Sequence, residues 1–190
     1  MAELIEPETS RLILRQWRPE DRAPFAELNA DPVAMEHFPK TLTRVESDAL
    51  ADRIEGLIAE RGWGFWAVEI KTTVEFIGFV GLHVPRADLP MSPCVEIGWR
   101  LLREHWGQGY ATEAAEAALR VGFERLDLPE IVSFTALANA RSQRVMERLG
   151  MARDPATFEH PDVPEGHPAR THCLYRLSRG AWIESRDPRL

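Results

Sequence analysis

The chain reads as an α/β protein, a central sheet with helices on both faces. Three observations predict this. Strand-period and helix-period segments follow one another in the order β-α-α-β-β-β-α-β-α-β-β. The 190 residues suffice for one domain with a substantial core. A glycine-rich turn, Trp106-Gly107-Gln108-Gly109-Tyr110-Ala111, sits where a strand feeds a helix.

Residues 11–16 alternate as a first strand, and Pro19 opens a helix to about Asn29. A second helix covers about 45–61. Strands follow at 63–70, 75–83 and 93–102, separated by turn-rich breaks. The next helix carries Ala111, Ala115, Ala118, Gly122 and Leu126 on one face, small residues that let it lie close to the sheet. Residues 128–136 form the fifth strand. Asn139 then caps a helix with an apolar stripe of Val145, Met146 and Leu149, ended by Gly150. Residues 154–172 read as a loop dense in Pro, His and acid, and 171–177 as the last strand.

The glycine turn is the first candidate site. The leading N–H groups of a helix have no partner inside it and sit at the positive end of its dipole, so they can grip an anion. A Walker loop needs Gly-Lys followed by Ser or Thr, whereas Gly109 is followed by Tyr110-Ala111. A dinucleotide fingerprint needs a third glycine where Thr112 stands. A plain strand-to-helix connection with no ligand is the bland alternative.

The short G-x-G-x-A turn resembles the acyl-CoA loop of the GNAT superfamily of N-acetyltransferases. It matches that loop at Gly109 and Ala111 and departs at Trp106, where the superfamily has Gln or Arg. The longer run Glu96-Ile97-Gly98-Trp99 through His105-Trp106-Gly107-Gln108-Gly109-Tyr110-Ala111-Thr112-Glu113-Ala114 is similar to the RimJ and RimL branch, which acetylates protein N-termini and other primary amines. The resemblance covers about 10–178, and it implies a single N-acetyltransferase domain over 1–190. It implies a mixed, mostly antiparallel sheet splayed at its middle strands, and acetyl-CoA as co-substrate. Residues Trp106, Gly107, Gln108, Gly109, Tyr110, Ala111 and Thr112 would then hold the pyrophosphate. Backbone groups near Trp99 and Leu101 would pair with the pantetheine arm, anchored also by Asn139, and the Leu101 N–H would hold the carbonyl oxygen as it gains charge.

Two side chains are candidates for the chemistry. Glu96 lies on the even face of a strand whose odd positions are apolar, where partial burial raises a carboxyl toward neutrality and suits it to deprotonate an ammonium. A structural ion pair with Arg100 or another cation is its alternative. Ser142 falls on the buried stripe of its helix, either bonded back to a carbonyl one turn earlier or facing the thioester. In the second case it assists the departing thiolate. The superfamily often places a Tyr acid where this chain has Met146, which cannot donate a proton. That keeps a non-catalytic acyl-CoA sensor as the alternative function. No activated Cys or Ser-His pair points to an acyl-enzyme.

The remaining features bound the partners. A net charge of −7 argues against nucleic acid and suits a cationic amine on a peptide, protein N-terminus or small molecule; a homodimer is compatible with it. No apolar run reaches the ~20 residues of a membrane helix, and the acidic start is unlike a signal peptide. Cys94 and Cys173 lie far apart without metal or redox spacing, as reduced thiols in a cytoplasm would. His160, His167 and His172 fit no zinc spacing, so no metal is expected, and their loop is expected to border the acceptor pocket. Trp63, Phe65 and Trp66 are candidates either for core or for that pocket. Arg141 and Arg144 either meet a CoA phosphate or form a solvated face.

Overall fold

The computed structural model describes residues 2–85 and 88–186. A seven-stranded sheet runs in the order β1-β2-β3-β4-β5-β7-β6, with β1 (Leu12–Arg15), β2 (Phe65–Ile70), β3 (Glu75–His83), β4 (Glu96–Leu101), β5 (Glu130–Ala136), β6 (Ala152–Glu159) and β7 (Thr171–Ser178). Every neighbouring pair is antiparallel except β4 and β5, which run parallel.

A 3-10 turn at Pro19–Asp21 leads into α1 (Arg22–Ala30), which packs on β3 and on α2 (Arg44–Arg61). Thr43 and Glu46 cap α2 reciprocally. Opposite them lie α3 (Tyr110–Arg120), continued by a π-helical turn at Val121–Arg125, then α4 (Ala140–Arg148) and α5 (Arg179–Glu184). Strand alternation decides which face each helix meets. Ile97 and Leu101 turn from β4 toward the α3 side and are buried, whereas Glu96, Gly98 and Arg100 turn toward the α1 side.

Beneath α1, the buried Arg15 guanidinium pairs with Asp21 and Glu69, at 2.7 Å each. This triad ties β1, β2 and the 3-10 turn together.

Two differences from the sequence expectation stand out. The expected order ends in two strands but only 171–177 has a range there; the other is the edge strand β6, which takes in residues 154–159 expected as loop. Its residues are mostly exposed and its pairing with β7 shifts register between Arg153 and Thr157, around Pro155. Proline is tolerated only at such edges and irregularities, and it hid the alternation. The second is α5, unanticipated, whose start is capped by the Ser178 hydroxyl accepting from the Ala181 N–H.

Candidate active site

The parallel pair opens almost where it begins. Strands β4 and β5 share one register position, Glu96 opposite Val132, with the Val132 N–H donating to the Val95 carbonyl at 3.0 Å. One step on, the buried Ser133 hydroxyl replaces the ladder by donating to the Ile97 carbonyl at 2.9 Å. Beyond it the strands diverge. Even positions turn their main-chain groups to β3, as the Leu102 N–H donating to the Ile77 carbonyl shows, so those of Trp99 and Leu101 face the gap. The Leu101 carbonyl is taken by the Trp106 indole N–H at 2.8 Å, which leaves its amide toward the opening. A cavity of about 710 Å³ fills the divergence, reaching from Glu96 past Leu101 to the glycine turn.

That turn leaves its main-chain amides unoccupied. Gly107 and Gly109 both have left-handed backbones, φ 74° and 82°, which L side chains adopt at a cost. Among the described residues, no N–H from 107 to 112 donates a hydrogen bond. Glu113 N–H closes the first turn of α3 on the Gly109 carbonyl. Arg11 braces the outside, donating to the Gln108 carbonyl, stacking on Tyr110 and pairing with Glu113 at 2.6 Å. Gly107, Gly109, Tyr110, Ala111 and Thr112 line the cavity. Gln108 does not. Its side chain turns back to the Glu104 carbonyl, so only its main chain is presented to the turn. Trp106 lines the cavity with its ring under the Arg141 guanidinium, which also pairs with Glu36 at 3.0 Å.

Glu96 sits at the inner end, where the strands part. One side of its carboxyl opens to the cavity and protein encloses the rest. It makes no hydrogen bond or ion pair among the described residues, so burial alone pushes its pKa up from 4.5 to about 8. The expected alternative, a pair with Arg100, does not form: that guanidinium donates to Asn29 instead. Ser142 lines the cavity, and among the described residues its hydroxyl has no partner, so the back-bonded alternative is not adopted either. The Asn139 side chain caps α4, accepting from the Ser142 N–H at 3.1 Å and donating to the Thr135 hydroxyl at 2.9 Å. Asn139 also lines the cavity. Met146 is fully buried in the core.

The α1 side of the cavity holds what sequence reasoning missed or left divided. Trp66 is core, its indole bonded to the Ile5 carbonyl, whereas Phe65 lines the cavity with Phe79 and stacks on His83. Phe38, from the segment between α1 and α2, joins them. Across the opening stand Phe134, His160 and His172, with the two imidazoles 4.9 Å apart, so the 160–172 segment does border this space. Among the described residues no group of three or more His, Cys, Asp or Glu is placed to hold a metal ion. A buried serine in the apolar strand Glu130–Ala136 was the one local signal of the opening.

The fold and site together define an α/β protein with a groove where its sheet splays and a glycine turn of unoccupied main-chain amides at its mouth. The chain belongs to the GNAT acetyltransferase family: the profile of the acetyltransferase (GNAT) domain matches residues 11–152. It is similar to the uncharacterized N-acetyltransferase YoaA of Bacillus subtilis, 30% identical over 149 residues, 77% of this chain and 82% of that protein. YkkB of the same organism is 39% identical over 94 residues, 48% of this chain, and that match spans only about half of YkkB, 54%. Among solved structures, an acetyltransferase from Agrobacterium tumefaciens str. C58 superposes with a TM-score of 0.73 at 28% identity, over 93% of this chain and 96% of that one.

Proposed function

We propose that the protein is an acetyl-CoA-dependent N-acetyltransferase acting on primary amines by direct attack. The observation that carries this reading is Glu96, an unpaired carboxyl with a pKa of about 8 at the inner end of the groove. A base must have a pKa near the working pH to take a proton and return to its starting state, and burial supplies that here.

The cofactor would lie along the groove, its diphosphate on the amides of 107–112 and its pantetheine arm beside Trp99 and Leu101. The acceptor ammonium gives a proton to Glu96. The freed amine forms the N–C bond as the thioester C–S bond breaks, with the Leu101 N–H bonded to the oxygen that gains charge. The proton that the attacking nitrogen still carries passes to the departing thiolate through the Ser142 hydroxyl, directly or through water, and Glu96 gives the proton it took to solvent. Since a thiol has a pKa near 8.5, this last assistance is modest.

The resemblance of 96–114 to the RimJ and RimL branch favours peptide or protein N-termini among the acceptors. No described helix is long and apolar enough to cross a membrane, and the thiols of Cys94 and Cys173 are free, which agrees with work in a reducing cytoplasm.

Acetyl-CoA-dependent thiol release with a panel of peptides and amines tests the proposal. Release with at least one primary amine, lost in Glu96→Gln, is expected. Tight CoA binding without release on any acceptor would identify an acyl-CoA sensor instead.

A further inference from the structure

The acceptor side of the cavity carries a cation without a counter-ion. Arg100 points from β4 to the α1 side, its guanidinium over the ring of Phe38 at 4.2 Å and beside Phe79 at 5.3 Å. Its Nη1 donates to Asn29 Oδ1 at 2.5 Å. Asn29 is fully buried and its Nδ2 donates to the equally buried Ser47 hydroxyl at 2.9 Å, so a fixed polar chain from α1 and α2 holds the guanidinium in place. The Nε is buried with no partner, and among the described residues Nη2 makes no hydrogen bond and no carboxylate pairs with the group.

This arrangement is costly without a ligand. Burial draws the Arg100 pKa down to about 10, and no anion acts to hold it up. The contrast is Arg15, whose charge burial also opposes but whose partners Asp21 and Glu69 hold its pKa up. At Arg100 an Asn29→Asp change would supply such a partner, and the chain instead keeps an amide there. Nη2 is the donor left open to an oxyanion, and the buried Nε can complete a bidentate grip when the side chains over it give way.

The geometry also separates this group from the cofactor. The groups that face the gap for the pantetheine arm are main-chain atoms of odd positions, whereas Arg100 leaves the strand on an even position toward Phe38. Glu96 shares that face four residues away, roughly 13 Å between Cα atoms at the rise of a strand.

We infer that Arg100 recognises an oxyanion on the acceptor, so that the acceptor is an extended primary amine carrying a carboxylate or phosphate on the order of 10 Å from its nitrogen. This rests on the acetyltransfer reading for which end of the acceptor reacts, and it excludes compact diamines and plain alkylamines as good acceptors.

The test uses the full chain, loaded with CoA for binding and supplied with acetyl-CoA for turnover. Its probes are the peptide amides Ala-Ala-Glu and Ala-Ala-phosphoserine and their neutral twins Ala-Ala-Gln and Ala-Ala-Ser. The anionic member of at least one pair should be preferred tenfold or more, in Kd and in kcat/KM. The pair that shows the preference tells carboxylate from phosphate. In Arg100→Gln the preference should fall to within threefold of none. Asn29→Asp, which supplies an internal anion and should fold even where the first variant does not, should do the same. Equal handling of charged and neutral twins by the wild-type chain overturns the inference, as does a loss of CoA affinity that matches the loss of acid preference. Acid-selective binding without thiol release from any probe would sink the acetyltransfer reading and leave Arg100 as an anion site.

Discussion

Replacing Glu96 by Gln should make the protein more stable and far less active, and the stability gain should depend on pH in one direction. The folded carboxyl has a pKa of about 8 against 4.5 for the ordinary group, so the folded chain holds this proton more tightly than the unfolded chain. Below about 4.5 both states are protonated and Glu96 carries no penalty. As pH rises through the window from 4.5 to 8 the unfolded state gains by ionising first, and wild-type stability falls. At about 1.4 kcal/mol for each tenfold change in proton affinity the ceiling is about 5 kcal/mol. Water in the open cavity screens one side of the carboxyl, which lowers this to roughly 2–3 kcal/mol. For a domain of this size that is roughly 5–10 °C in Tm. Thermal melts of both proteins at pH 5 and pH 8.5 should show a gap that is small at the lower pH and wide at the higher. The same substitution removes the base, so kcat/KM should drop about 100-fold or more at pH 8. A Tm difference that stays constant with pH would show that the folded carboxyl titrates normally, and the argument for Glu96 as a tuned base would fail.

Other expectations are narrower. Wild-type kcat/KM should climb roughly tenfold per pH unit from 6 to 7 and level near the Glu96 pKa of about 8, measured with an acceptor whose own ionisation is corrected for. Gly109→Ala puts a side chain on a backbone at φ 82°, at about 1–2 kcal/mol of strain, with only the Arg11 guanidinium tip, at 3.5 Å, near the new Cβ. The fold should survive, and titration should show CoA affinity falling at least tenfold. Ser142→Ala should reduce kcat by no more than about tenfold while CoA Kd stays within twofold, because the thiolate leaves tolerably unaided; a loss of a thousandfold would give Ser142 a larger role. Arg15→Ala strands the buried carboxylates of Asp21 and Glu69, and urea melts should register a loss of about 3–5 kcal/mol.

The parts of the site that could be read from the sequence are those written in consecutive residues. The turn from 106 to 112 declares itself because two glycines and a small residue open a helix, and the structure adds that both glycines need left-handed backbones. Glu96 emerges from alternation within one strand, and Ser142 from the stripe of one helix. The rest of the cavity wall was legible only in part, in Phe65 and the 160–172 loop as candidates, because its members come from separate elements. Phe38 follows one helix, Phe65 and Phe79 sit in strands where an aromatic reads as core, and His172 lies near the start of the last strand, while Asn29 is buried behind the wall near the end of α1. Arg100 was weighed only as a neighbour of Glu96. That its guanidinium instead reaches Asn29 depends on how α1 packs on β3, which no local period encodes.

The opening of the sheet and the tuning of its carboxyl follow from one substitution of partners. Had β5 continued its ladder beyond Val132, its backbone would have filled the gap with hydrogen bonds and covered Glu96 with strand. Instead the Ser133 hydroxyl satisfies the Ile97 carbonyl and ends the parallel pairing after a single register position. The amides of Trp99 and Leu101 are thereby left without a strand partner, and the carboxyl beside them is left among protein atoms with no cation among the described residues to stabilise its charge. Ser133→Val tests this coupling. It removes the hydroxyl from the Ile97 carbonyl, so β5 can close toward β4 or leave that carbonyl unpaired. Closure should lower CoA affinity and hydrogen exchange at Leu101 together, and an unpaired carbonyl should lower stability by about 1–3 kcal/mol with the groove intact. If Ser133→Val binds CoA as wild type and melts at the same temperature, the serine is not what holds the sheet open.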